Sequence, residues 1–179
     1  MTFEVELKAH IPSILSMQNT IQKQLGLIDP TAYRKEDIYF SKPDTLQKTE
    51  FRLRSEGTSF IVTRKNKSQK DGIEVNDEIE FFISDAAQFI RFSLESGYVI
   101  SIEKTKIGVS YTYNGLTIEL SDVNFLGSFI ELEILLDTAE PDRVAAAKKR
   151  LLDTLELLGI YKEAIEPRYY SEMLRTGDA

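Results

Sequence analysis

Glu4, Glu6 and Lys8 stand at alternate positions in the stretch EVELK, with Val5 and Leu7 between them. In an extended strand the three charges share one face. Neighbouring carboxylates suit a hard divalent cation, and a lysine beside them suits phosphate oxygens. The pattern recurs. Arg52 and Arg54 share a face in FRLR, Thr63 and Lys65 in VTRK, and Lys104 and Lys106 in EKTK. Glu74, Asn76, Glu78 and Glu80 share another, as do Thr117, Glu119 and Ser121, and finally Glu131 and Glu133. On any one strand this is most simply a sheet with a wet face. Across the set, cations paired on some strands and acids paired on others fit a different arrangement. The charged faces meet inside a closed barrel, and the apolar faces turn outward.

So many charges need partners when desolvated. A ligand that satisfies both signs is a polyphosphate carrying divalent metal: Lys and Arg neutralise phosphate oxygens, and carboxylates hold Mg²⁺ or Mn²⁺. No GxxxxGK[ST] phosphate loop is present, so phosphate binding would rest on side chains.

The elements that must position these residues follow from periodicity. The runs TFEVELKA, KEDIYFS, TEFRLRS, SFIVTRK, IEVNDEIEFF, YVISIEKTK, GVSYTYN, LTIELSD and GSFIELEILL alternate with period two and read as about nine strands. Asn114-Gly115 marks a hairpin, and Gly57 and Gly72 mark other turns. Three segments have helical spacing: 12–25, opened by Pro12 and closed by Gly26; 85–96, capped by Ser84 with Ala86, Phe89, Ile90 and Leu94 as its stripe; and 141–158, opened by Pro141. A short helix through RYYSEML follows Pro167. The expected class is α+β, mainly antiparallel β. The amphipathic helices need an apolar sheet surface to cover, which leaves the charged faces for the lumen. No low-complexity linker interrupts the chain, so one domain is expected over 1–179.

Composition narrows the function. The chain has 179 residues and can bury a sizeable core. Its net charge of −7 disfavours duplex DNA and anionic membranes, so no nucleic acid and no membrane is expected as a partner. The absence of cysteine excludes disulfides, thiolate zinc sites and cysteine nucleophiles. His10, the sole histidine, leaves a Ser/His/Asp triad poorly supplied, and it is expected outside the lumen. The first residues lack an apolar signal-peptide core, and no apolar run reaches the ~18 residues of a membrane helix. A cytoplasmic protein is expected.

The ordered blocks EVELK, DIYF, FRLR, TRK, EIE, KTK, LGSFIELE and YYSEML resemble the CYTH superfamily of triphosphate tunnel metalloenzymes. The last two are most similar to its bacterial class IV adenylyl cyclase branch. The resemblance covers almost the whole chain. It implies an eight-stranded antiparallel tunnel with helices outside, a triphosphate within, and Mg²⁺ or Mn²⁺ as cofactor. By the same resemblance, Glu4, Glu6, Glu131 and Glu133 are metal-binding acids. Lys8, Arg52, Arg54, Lys65, Lys104 and Lys106 are triphosphate-binding cations, and Lys8, Glu4 and Glu6 are the expected catalytic residues. From the residues themselves, Glu78 and Glu80 are supporting acids, either as further metal ligands or as buried partners that orient Arg52 and Arg54.

Three positions depart from the family pattern. Lys106 and Asn76 stand where arginine is common, and Ser121 stands at a family aspartate, for which Glu119, one pleat away, is the expected substitute. The implied activity is conversion of ATP to cyclic AMP and pyrophosphate. The alternatives are hydrolysis of inorganic tripolyphosphate or an organic triphosphate, and a triphosphate-binding module without catalysis. Thiamine triphosphatases of the superfamily use a tryptophan, which this chain lacks. The branch resemblance also implies a homodimer.

Overall fold

The computed structural model describes residues 2–70 and 72–177. Met1, Asp71, Asp178 and Ala179, included in the domain expected from sequence, lie outside the described residues. The strands are β1 (Thr2–His10), β2 (Thr31–Ser41), β3 (Phe51–Glu56), β4 (Ser59–Lys70), β5 (Ile73–Ile83), β6 (Val99–Tyr113), β7 (Leu116–Val123) and β8 (Gly127–Leu136). They pair antiparallel and close into a barrel in the order β1-β5-β4-β3-β2-β6-β7-β8.

Eight strands replace the roughly nine alternating runs, because YVISIEKTK and GVSYTYN form the single strand β6. Gly108, which opens the second run, lies in mid-strand. A Cβ on Gly108 would run into the carbonyl oxygen of Leu120 and lie 2.8 Å from the Ser121 Cα, both backbone atoms of the neighbouring β7. Glycine here permits close approach of two strands. Gly108→Ala is expected to destabilise the protein by about 3 kcal/mol or more, since backbone rather than a flexible side chain must yield. A urea midpoint equal to wild type would contradict this. The Asn114-Gly115 turn joins β6 to β7 with both residues at positive φ, as a two-residue hairpin requires.

The helices are α1 (Ile14–Leu25), α2 (Ala86–Glu95), α3 (Pro141–Leu157) and α4 (Tyr170–Thr176). Two starts shift from the sequence expectation. Ser13, not Pro12, opens α1, its hydroxyl accepting from Ser16 N; Asp85, not Ser84, caps α2, its carboxylate accepting from Gln88 N. In α2 the buried stripe turns slightly, so that Ser93 is buried and Leu94 exposed. Pro141 occupies the first turn of α3 as expected. Among the described residues no helix is long and apolar enough to cross a membrane.

The main core lies outside the barrel. Odd-numbered Val5, Leu7 and Ala9 of β1 join Ile118 and Leu120 of β7 and Ile130 and Leu132 of β8 beneath α1 and α3. A smaller cluster of Phe40, Leu53 and Val62 packs under α2. The even residues of β1 therefore point inward, and EVELK faces the lumen. At one end Val123, Leu126 and Phe129 pack with Tyr170 and Met173, so α4 lies across that mouth.

Candidate functional site

The inward faces enclose a cavity of about 1070 Å³. Its wall carries every site residue expected from sequence: Glu4, Glu6 and Lys8 of β1; Arg52 and Arg54 of β3; Lys65 of β4; Glu78 and Glu80 of β5; Lys104 and Lys106 of β6; Glu119 of β7; and Glu131 and Glu133 of β8. Three groups organise them.

The first is acidic. Glu6 faces Glu133 across the β1–β8 ladder, and one carboxylate oxygen from each of Glu4, Glu6 and Glu133 lies within 4.8 Å of the others. Three converging oxygens are the donor set of a hard divalent cation. Lys65 Nζ donates to Glu4 and sits 2.6 Å from Glu78 and 3.7 Å from Glu6. Burial alone would lower the Lys65 pKa, but Glu6, Glu4 and Glu78 hold it well above the usual lysine value. Asn76, fully buried, points Nδ2 at Glu4, Glu6 and Glu74, each at 3.3 Å. Burial and the charges of Glu4 and Glu6 push the Glu133 carboxyl up to about 9.

A pH dependence follows. Glu133 binds its proton more tightly folded than unfolded, so its contribution is complete below the ordinary carboxyl range and lost as pH rises through about 9. The Tm measured in chelator should fall as pH rises from 6 to 9, and should fall less in Glu133→Gln. Over the same interval affinity for a divalent ion should rise, since the proton must leave first. A Tm slope unchanged in the variant would contradict this assignment.

The second group is an alternating chain of charges. Glu119 and Glu131 stand directly opposite each other on β7 and β8. Lys106 bridges them, 3.1 Å from Glu119 and in direct contact with Glu131. Lys35 holds the other side of Glu119, to which Tyr33 also donates at 3.1 Å. The Tyr170 hydroxyl donates to Glu131 at 2.9 Å. Its ring is 4.7 Å from Lys104 Nζ, 5.4 Å from Lys8 and 5.6 Å from Lys106, so α4 roofs the lysines with an aromatic face. Lys8 Nζ lies 3.3 Å from Glu74.

The third group centres on Asp37 of β2, with Arg54, Lys104 and Arg52 around it. Arg52 also donates to Thr63 at 3.1 Å, and Thr63 to Glu80 at 3.2 Å.

Sequence reasoning did not assign Lys35, Asp37, Glu74 or Tyr170. The first two were detectable, because Lys35, Asp37 and Tyr39 alternate in KEDIYFS as the charges do in EVELK. Tyr39 also lines this lumen, whereas Tyr111 packs in the outer core. Tyr170 gives no such signal, since its role depends on where α4 lands. Ser121 faces inward and is fully buried, its hydroxyl without a hydrogen-bond partner among the described residues. Asp122 is exposed on the outer face, as strand parity requires. His10 does not take the outer face expected of it: it shares the inward parity of Lys8 and sits half-exposed at the tunnel mouth, its ring 4.4 Å from that of Phe129 and beside Glu166.

The CYTH domain family matches residues 2–170. A protein of Methanocaldococcus jannaschii named "Putative adenylate cyclase" is 29% identical over 177 residues, covering 95% of this chain and 97% of that one. A solved structure from Pyrococcus horikoshii aligns with a TM-score of 0.81 and 26% identity, covering 96% of this chain and 99% of the other. A Hippeastrum structure, described as a putative adenylyl cyclase with a dominant triphosphatase activity, aligns with a TM-score of 0.70 and 18% identity over 100% of this chain and 97% of that one, a likeness of fold.

Proposed function

The chain belongs to the CYTH domain family, and from that premise we propose that it is a divalent-metal-dependent enzyme acting on a triphosphate inside the tunnel. The observation that carries the reading is the three-carboxylate cluster of Glu4, Glu6 and Glu133 in the same cavity as Lys8, Arg52, Arg54, Lys65, Lys104 and Lys106. Anionic phosphates need the cations, and a metal–phosphate complex needs both.

Glu4, Glu6 and Glu133 would hold Mg²⁺ or Mn²⁺, which supplies Lewis-acid stabilisation of phosphoryl oxygens when bound. Glu119 and Glu131 complete the expected acidic set. Lys106 stands between those two carboxylates, whereas the carboxylate oxygens of Glu4, Glu6 and Glu133 converge within 4.8 Å, so we assign the latter cluster as the primary metal site. Arg52, Arg54 and Lys104 grip one part of the triphosphate from β3 and β6, and Lys8, Lys65 and Lys106 the remainder. Held in this way, the chain of phosphates is fixed in line for displacement, and the cations stabilise charge on the leaving group.

Our first reading of the reaction is attack of the ATP ribose 3′-oxygen on the α-phosphate, giving cyclic AMP and pyrophosphate. It is supported by the name of the Methanocaldococcus relative. A second reading is hydrolysis of inorganic tripolyphosphate by water, favoured by a cavity wall in which charged side chains predominate over the apolar Leu7, Phe51, Ile79 and Leu135. A cytoplasmic location and a homodimer belong to the same proposal.

Incubation with ATP and with tripolyphosphate, each with Mg²⁺ and with Mn²⁺, separates these readings. Cyclic AMP supports the first. Orthophosphate alone rejects it in favour of the second. Tight binding without turnover selects a triphosphate-binding module.

A further inference from the structure

We propose that Asp37 is the positioning residue of the tunnel's cationic wall: it fixes Arg52, Arg54 and Lys104 so that their remaining donors face the triphosphate. The inference rests on the triphosphate reading above and adds to it a residue outside the expected contacts. Its basis is strand register. Asp37 on β2 stands directly opposite Arg54 on β3 and directly opposite Lys104 on β6. Opposed side chains on adjacent strands lie within reach of each other, so one acid is flanked by a cation on either side.

The contacts follow that register. Arg54 donates to Asp37 through Nε at 2.7 Å and through the terminal nitrogen NH2 at 3.0 Å, a two-point contact. Lys104 Nζ lies 3.0 Å from Asp37 Oδ2, and the Arg52 guanidinium 3.8 Å away. Burial raises the Asp37 pKa, but Lys104, Arg52 and Arg54 outweigh it and hold the carboxyl well below the usual range. The Asp37 side chain has 0% exposure, whereas Arg52 and Arg54 retain 14% and 15%. The acid thus lies behind its arginines as seen from the cavity, and a phosphate meets the cations rather than Asp37.

Donors remain for that phosphate. Arg54 presents one edge of its guanidinium to Asp37 and keeps the rest. Arg52 Nε is buried without a hydrogen-bond partner among the described residues. Lys104 has three donors and gives one direction to Asp37. Without the carboxylate, three like charges would share one desolvated wall and splay apart. Asparagine matches the shape of Asp37 but turns an N–H group toward a cation.

The test is calorimetric titration of Asp37→Asn with inorganic tripolyphosphate and Mn²⁺, together with steady-state kinetics on whichever substrate the wild type turns over. We expect binding at least tenfold weaker and KM raised by a similar factor. The kcat should stay within threefold, because Asp37 touches no reacting phosphate. In a Lys104→Met background, where the wall holds one cation fewer, adding Asp37→Asn should cost less than threefold. Asp37→Asn binding equal to or tighter than wild type would overturn the proposal, as would a fall in kcat at constant KM. Should Asp37→Asn fail to fold, the pair Lys104→Met and Asp37→Asn/Lys104→Met decides. A folded double variant within threefold of the single supports the role, and an unfolded or tenfold weaker one rejects it. Absence of tripolyphosphate binding by the wild type would reject the functional reading and this proposal together. Binding by the wild type with an unaffected Asp37→Asn rejects this proposal alone.

Discussion

Glu133→Gln is expected to eliminate metal-dependent turnover while leaving the fold intact. In the metal-free protein the Glu133 carboxyl is pushed up to about 9 by burial and by Glu4 and Glu6. Near neutral pH it therefore carries its proton, and glutamine is close in shape and charge to that neutral form. Stability in chelator should stay near wild type, with a Tm within a few degrees. A divalent ion, however, needs the carboxylate, and glutamine offers only a neutral carbonyl oxygen in its place. Loss of a mere outer partner of a metal ligand typically costs about 10–100-fold, so loss of the ligand should cost about 100-fold or more in kcat/KM. Glu4→Gln should have the same kinetic effect with a larger effect on stability, because it also breaks the contact with Lys65. Full activity in both variants would refute the metal assignment.

Lys106→Met should show the largest loss of stability among the cavity residues. Lys106 is 2% exposed and bridges Glu119 and Glu131. Burial would lower its pKa, yet Glu131 and Glu119 hold it far above the ordinary lysine value. Those two glutamates face each other across the β7–β8 ladder, and like charges directly opposed destabilise a sheet. Removing the bridge leaves buried acid unpaired, at a cost of about 3–5 kcal/mol. Lys35 still neutralises Glu119, so the deficit falls chiefly on Glu131. The rescue experiment follows: adding Glu131→Gln to Lys106→Met should recover more than half of the lost stability in urea. A Lys106→Met variant as stable as wild type, or a double variant no better than the single, would contradict this network. Lys106→Arg should be milder, because it keeps the charge and adds a fork that can grip phosphate.

Much of this arrangement was legible in the chain because strand parity is a strict code. Once Val5 and Leu7 are known to lie under helices, Glu4, Glu6 and Lys8 must face the other way, and the same step orients Arg52, Arg54, Glu131 and Glu133. Closure follows from the need of apolar helical stripes for a sheet surface, which the outer core supplies. Parity does not give register. That Asp37 falls between Arg54 and Lys104, or Glu119 opposite Glu131, depends on how strands distant in sequence slide against one another. For the same reason the partners of Lys8 and Lys106 could not be read from their own strands. Nor does periodicity show that YVISIEKTK and GVSYTYN are one strand, because the lack of a side chain at Gly108 serves a close contact with β7 in the middle of β6. Helix starts were displaced by one or two residues because Ser13 and Asp85 offer a side-chain acceptor to the first turn and Pro12 does not.

On the proposed function, the charged lumen binds a triphosphate together with a divalent ion. Thermal melting with Mn²⁺ alone, inorganic tripolyphosphate alone, and both together tests it most directly. Ligand at about a hundred times its Kd stabilises a protein by about 2.7 kcal/mol. Tripolyphosphate and Mn²⁺ together should raise Tm by more than the sum of the two separate shifts, with that excess lost in Glu133→Gln. An unchanged Tm in all three mixtures would contradict it.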